Sequence, residues 1–155
     1  MTFQLSGLDE SRFQALFALD ERALRDRGMR RLVADSDTGY PCRVSLQDAR
    51  RGQTLLLLPY EHLPSPSPYR ACGPIFVRQG ARRRVAPPGH VPDYVSRRLI
   101  SLRAYGDDGG MREAEVVDGP RVAEELARMF RDAAISFIHL HNARRGCFSC
   151  LATRI

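Results

Sequence analysis

The residues best suited to chemistry crowd into His139-Leu140-His141-Asn142-Ala143-Arg144-Arg145-Gly146-Cys147, which brings two imidazoles, an amide, two guanidiniums and a thiol into one short stretch. On a β-strand, residues i and i+2 point to the same face with Cα atoms roughly 6.5–7 Å apart. His139 and His141 can therefore converge on one metal ion or one anion, with Phe137 beside them and Ile138 and Leu140 turned to the other face. Two ordinary hydrogen-bonded histidines on a half-exposed strand fit the pattern equally well. Cys147-Phe148-Ser149-Cys150 is a Cys-x-x-Cys, and with both histidines it would complete an N₂S₂ zinc set. Strand alternation puts i and i+3 on opposite faces, so we expect one exposed thiol, Cys147, and one core thiol, Cys150, and zinc is not favoured. A redox dithiol needs a helix N-terminus to lower the thiol pKa, and little chain follows Cys150. The metal alternative that survives uses His139, His141 and Cys147, with His62 or His90 as a further donor.

The turn formed by 142–146 suits a carboxylate or phosphate through Asn142 and Arg144, while Arg145 reads as solvated. A second polar group lies mid-chain. Cys42 and Arg43 sit in Gly39-Tyr40-Pro41-Cys42-Arg43-Val44-Ser45, Tyr60 and His62 share one face of an apolar strand, and Tyr69 and Arg70 follow in a loop. If the two groups meet in space they make a site for a small anionic molecule. Arg43, Arg70 and Arg144 would grip the anion, with Tyr60, Tyr69 and Asn142 lining it. His62 or His141 would act as acid or base, and Cys42 or Cys147 as nucleophile. The tyrosines fit equally well as rim residues of the core. Whether the chain is an enzyme stays open at this level, as does its cofactor.

Composition narrows the partners. The chain has 155 residues and a formal net charge of +6, and all 24 basic residues are arginine. Arginine grips carboxylate and phosphate bidentately where lysine cannot, yet most of these side chains read as solvated surface. Arg82-Arg83-Arg84 invites a nucleic-acid reading, but no aromatic is interleaved and no helix-turn-helix or RNA-binding signature accompanies it, so specific nucleic-acid binding is not expected. The longest apolar run, Ala15 to Leu19, is far too short to span a bilayer, and no basic segment precedes an apolar one at the start. Four cysteines make no disulfide scaffold at this length. A cytoplasmic protein with reduced thiols is the expectation, and a homodimer paired through the final strand is an alternative role.

The elements that must hold these residues follow from periodicity. Phe3 to Leu5 reads as a strand. A helical pattern starts at Asp9, with Phe13, Leu16 and Phe17 on one face, and Asp20 caps a second helix that stops at Gly28. Arg30 to Ala34 is a weak strand, and Ser45-Leu46-Gln47-Asp48 has the capping pattern of a short helix ending at Gly52. Thr54 to His62 and Ile75 to Arg78 are strands, separated by Pro64-Ser65-Pro66-Ser67-Pro68, a loop without ladder donors. Residues 80–90 read as an exposed connector. Leu99 to Tyr105 and Met111 to Val117 flank Gly106-Asp107-Asp108-Gly109-Gly110 as a hairpin. Pro120 opens an amphipathic helix carrying Val122, Leu126, Met129 and Phe130, and Ile135 to His141 and Phe148 to Ile155 are the last strands. This order predicts one α+β domain over 1–155, with helices packed on a mainly antiparallel sheet.

Several blocks together resemble a bacterial family known only as a domain of unknown function. They are Gly39-Tyr40-Pro41-Cys42-Arg43-Val44-Ser45-Leu46-Gln47-Asp48-Ala49, Leu56-Leu57-Leu58-Pro59-Tyr60-Glu61-His62, Ser67-Pro68-Tyr69-Arg70, Gly73-Pro74-Ile75-Phe76-Val77-Arg78 and His141-Asn142-Ala143-Arg144-Arg145-Gly146-Cys147. The resemblance implies a one-domain protein of bacterial origin and brings no activity with it.

Overall fold

A computed structural model describes residues 2–155. Two five-stranded sheets organise the chain. The first runs β1 (Phe3–Ser6), β10 (Phe148–Arg154), β9 (Phe137–Asn142), β7 (Leu99–Tyr105) and β8 (Met111–Asp118) in spatial order, all antiparallel. The second runs β2 (Arg30–Val33), β5 (Thr54–Leu63), β6 (Ala71–Arg78), β3 (Pro41–Cys42) and β4 (Gln47–Asp48), with β3 and β6 its one parallel pair. The α+β class and the antiparallel character agree with expectation. The expected one sheet is instead two, because β5 pairs with β2 and β6 and with no strand of the C-terminal half.

Each sheet buries one face under helix. Ile100, Leu102 and Ala104 of β7, Ile138 and Leu140 of β9, and Cys150 and Ala152 of β10 form a core with α2 (Asp93–Ser96) and α3 (Val122–Met129), whose Val122, Leu126 and Met129 are the buried stripe. Leu56, Leu58, Ile75 and Val77 pack in a second core with Phe13 and with Leu24 of α1 (Glu21–Asp26). Asp20 caps α1 by accepting from the Ala23 N–H at 2.8 Å, and Gly28 ends it at φ 70°, as the pattern requires.

Three local expectations fail for physical reasons. The Ser45–Gly52 stretch forms no helix: Leu46 is fully buried in the first core and takes a left-handed φ of 51° to get there, so burial overrides the capping pattern. The segment from Asp9 makes two 3-10 turns, Glu10–Arg12 and Gln14–Ala18, in place of a continuous helix. The 80–90 connector is pinned, with Ala81 and Ala86 buried and Val85 bridged to Ser6. Among the described residues, no helix is long and apolar enough to cross a membrane.

Two features position the polar residues. The register between β5 and β6 slips between Tyr60 and Leu63, a bulge of the kind that re-aims a side chain, and His62 lies inside it. The Pro64–Pro68 loop then docks on the β7–β8 turn, where Ser67 Oγ donates to the Gly109 carbonyl at 2.9 Å. This ties the far end of β5 to the first sheet.

Candidate functional site

His139 and His141 stand on the face of β9 turned away from α3, as the i, i+2 spacing requires. Opposite them on β7 are Arg103, in register with His139, and Ser101, in register with His141. His62 reaches this face from β5, its ring centroid 4.9 Å from that of His141 and 5.7 Å from that of His139. One ring nitrogen from each of the three lies within 4.8 Å of the other two. Phe148 stacks on His62 at 5.6 Å with the planes 10° apart, and its edge meets both other rings.

The hydrogen bonding around these rings is unusual. His139 is 5% exposed and His141 is fully buried, yet Nδ1 of His62, Nδ1 of His139 and Nε2 of His141 have no hydrogen-bond partner. A buried polar atom left unpaired costs roughly 1–3 kcal/mol, so one on each of three neighbouring rings needs a reason. Nδ1 of His141 lies 3.0 Å from the Gly146 carbonyl. A carbonyl only accepts, so the proton sits on Nδ1 and the Nε2 lone pair is free. All three imidazoles are held neutral. Burial, aided by the positive Arg103 and by the neighbouring histidines, pushes His139 down to about 3. Burial likewise takes His141 to about 3 against the contrary pull of the Gly146 carbonyl, and it lowers His62 with Arg103 assisting. Neutral imidazoles with free lone pairs are what a transition-metal ion requires.

A second cluster occupies the other face. Asn142 follows His141 on β9 and points oppositely, beside Cys147. Arg43 is 1% exposed and donates from Nε to the Phe148 carbonyl at 2.6 Å, from Nη1 to the Pro41 carbonyl, and from Nη2 to Cys147 Sγ at 3.0 Å. Asn142 Nδ2 lies 3.7 Å from the same sulfur. This group borders a cleft of about 1320 Å³ that Arg144 and Arg145 also line. The Arg43 segment and the C-terminal turn do meet, but in a place separate from the three histidines.

The remaining candidates scatter. Cys42 is buried in the second core, where its sulfur accepts from the Arg78 N–H at 3.3 Å. The Tyr60 hydroxyl accepts from Arg12 at 3.0 Å, Tyr69 is exposed, and Arg70 is paired with Glu61 on the surface. Cys147 stands with Arg43 and Asn142 and is absent from the three-donor group, in which His62 takes the position given to it by the sequence alternative. His90 is exposed and outside the group. The alternation argument for the two thiols also needs correction. A bulge between Phe148 and Cys150 shifts the register, so Cys150 lies opposite Leu140 in the core because of that extra residue.

Residues 39–154 match the model of a family described as a protein of unknown function, DUF1203. The chain belongs to this family. Every residue of both clusters falls inside the matched region, while β1, α1 and β2 precede it. No curated protein and no solved structure matches the chain. Sequence reasoning passed over Arg103, although Ser101-Leu102-Arg103-Ala104-Tyr105 alternates in a way that sets Arg103 on the face opposite the core.

Proposed function

We propose that this DUF1203 protein binds one divalent transition-metal ion through His62, His139 and His141. The observation that supports the reading is the convergence of three neutral imidazoles, two buried and one half-buried, each of which also carries a buried nitrogen without a hydrogen-bond partner. The Gly146 carbonyl fixes the His141 tautomer in the way outer-shell partners orient metal-ligating histidines. Three histidines, with no fourth His, Cys, Asp or Glu donor among the described residues, match catalytic rather than structural zinc sites, which keep a coordination position open. Imidazole donors suit zinc, copper, iron and nickel. An ion held there would act as a Lewis acid on an oxygen ligand in the open position.

Metal analysis of untagged protein tests this. We expect close to one ion per chain, and His62→Ala should weaken affinity at least about 100-fold, since even outer-shell changes cost 10–100-fold. Wild-type protein that carries no near-stoichiometric metal and takes up neither zinc nor cobalt sinks the proposal.

A second reading, favoured by the Arg43–Cys147 contact, makes the cleft on the opposite face a binding place for a small anion. Asn142, Arg144 and Cys147 line it there, and Arg43 backs the thiol.

A further inference from the structure

We propose that the three-histidine site takes its metal together with an anionic ligand bearing two oxygens on one centre, a carboxylate or related oxyanion, and that Arg103 is the anchor for that anion. The inference rests on the metal reading above. It starts from charge. No carboxylate belongs to the three-donor group, and the charges acting on the three rings are cationic, Arg103 on all three and Arg43 on His141 alone. Arg103 lies directly across from His139 in the β7–β9 register, which sets their Cβ atoms about 4.5–5.5 Å apart on one face. It is half-buried, and among the described residues it takes part in no ion pair.

Its stem is held nonetheless. Nε approaches Ser101 Oγ, two residues back on the same face of β7, at 3.5 Å. A half-buried cation fixed beside three neutral ligands is a poor neighbour for a dication, because like charges repel strongly where water is scarce. The arrangement becomes favourable when an anion sits between them. One of its oxygens then fills the open position on the metal, and the other accepts from the planar guanidinium, whose fork matches such a pair of oxygens. Anion and metal thus bind cooperatively, each raising the other's affinity by the same factor.

Cobalt titration monitored by its visible absorption bands tests this, in a non-coordinating buffer, with and without acetate, and with chloride as an anion lacking the second oxygen. For the wild type we expect acetate to tighten cobalt binding by about tenfold or more, the scale of a charge-assisted hydrogen bond, and chloride to do much less. Arg103→Gln should bind cobalt at least as tightly as wild type without acetate and should lose most of the enhancement. Arg103→Lys keeps the charge without the fork and should retain only part of it. Cobalt binding that acetate leaves unchanged in the wild type overturns this inference alone, and so does an enhancement that survives in Arg103→Gln. Absence of cobalt binding in the wild type overturns the metal reading beneath it.

Discussion

Two neighbouring residues of β9, His141 and Asn142, open onto regions built on opposite terms. On the His141 side, three ring nitrogens are buried without hydrogen-bond partners, and Arg103, the cation that acts on all three rings, takes part in no ion pair among the described residues. On the Asn142 side, Arg43, the most deeply buried charge among the described residues, spends all three of its nitrogens on two carbonyls and a sulfur. Burying polar groups is costly in both places. The second region meets that cost with its own atoms, whereas the first leaves it open. That contrast is what supports the metal reading proposed for the first. In the second, the buried guanidinium belongs to the fold and only the rim, with Cys147 and Arg144, is free for other work.

The comparison breaks most sharply at Arg43. Arg43→Ala strips donors from the Phe148 and Pro41 carbonyls and from Cys147, and it empties a large core volume. Hydrogen bonds from a charged group contribute roughly 1.5–3 kcal/mol each, so urea unfolding should show a loss of about 3 kcal/mol or more. His62→Ala removes a half-buried ring that stacks on Phe148 but whose buried Nδ1 has no hydrogen-bond partner, and in metal-free protein its effect on stability should be much smaller. A loss below about 1 kcal/mol for Arg43→Ala would mean that the region is not a structural knot, and the contrast with the histidine cluster would dissolve.

A subtler probe lies outside both clusters. Gly109 has φ 72°, and a Cβ there would fall 2.0 Å from Ser65 Oγ in the loop that follows His62. Gly109→Ala must both strain the turn and push that loop away, a cost on the order of 1–3 kcal/mol. Because the loop docks β5 on the first sheet through Ser67 and Gly109, part of that cost should appear as misplacement of His62. We expect metal affinity to fall about tenfold in a chain that still folds, equivalent to about 1.4 kcal/mol of lost preorganisation. Unchanged affinity would show that the bulge at Tyr60–Leu63 positions His62 without the loop.

How much of this was legible beforehand depends on the range of the forces involved. Strand spacing sufficed to place His139 and His141 together, and hairpin chemistry sufficed for Gly106–Gly110, because both are local. The capping pattern at Ser45 misled, since a core pocket for Leu46 outweighed it. That His62 joins the two C-terminal histidines, while Cys147 turns to Arg43, depends on a bulge in β5 and a loop docked some 40 residues away. No short window of sequence carries that information. Arg103 was readable from alternation, but its meaning came only from the histidines opposite it.

The smallest effect concerns the rim of the second region, and it can be read within one chain. Cys147 lies against the Arg43 guanidinium and borders the cleft with Arg144 and Arg145, whereas Cys72 is exposed elsewhere. A nearby guanidinium attracts an approaching anion by about 1 kcal/mol at 4 Å in water, which is about fivefold in rate. Iodoacetate and iodoacetamide carry out the same alkylation but differ by one negative charge. Mass spectrometry of partially alkylated native protein should therefore show the iodoacetate-to-iodoacetamide ratio at Cys147 about fivefold above that at Cys72. Urea should abolish the difference, because it disperses the arginines. An equal ratio at the two thiols in native protein would leave the cleft without an anion preference and remove the second reading. The histidine cluster would then be the one region of the pair with a ligand to find.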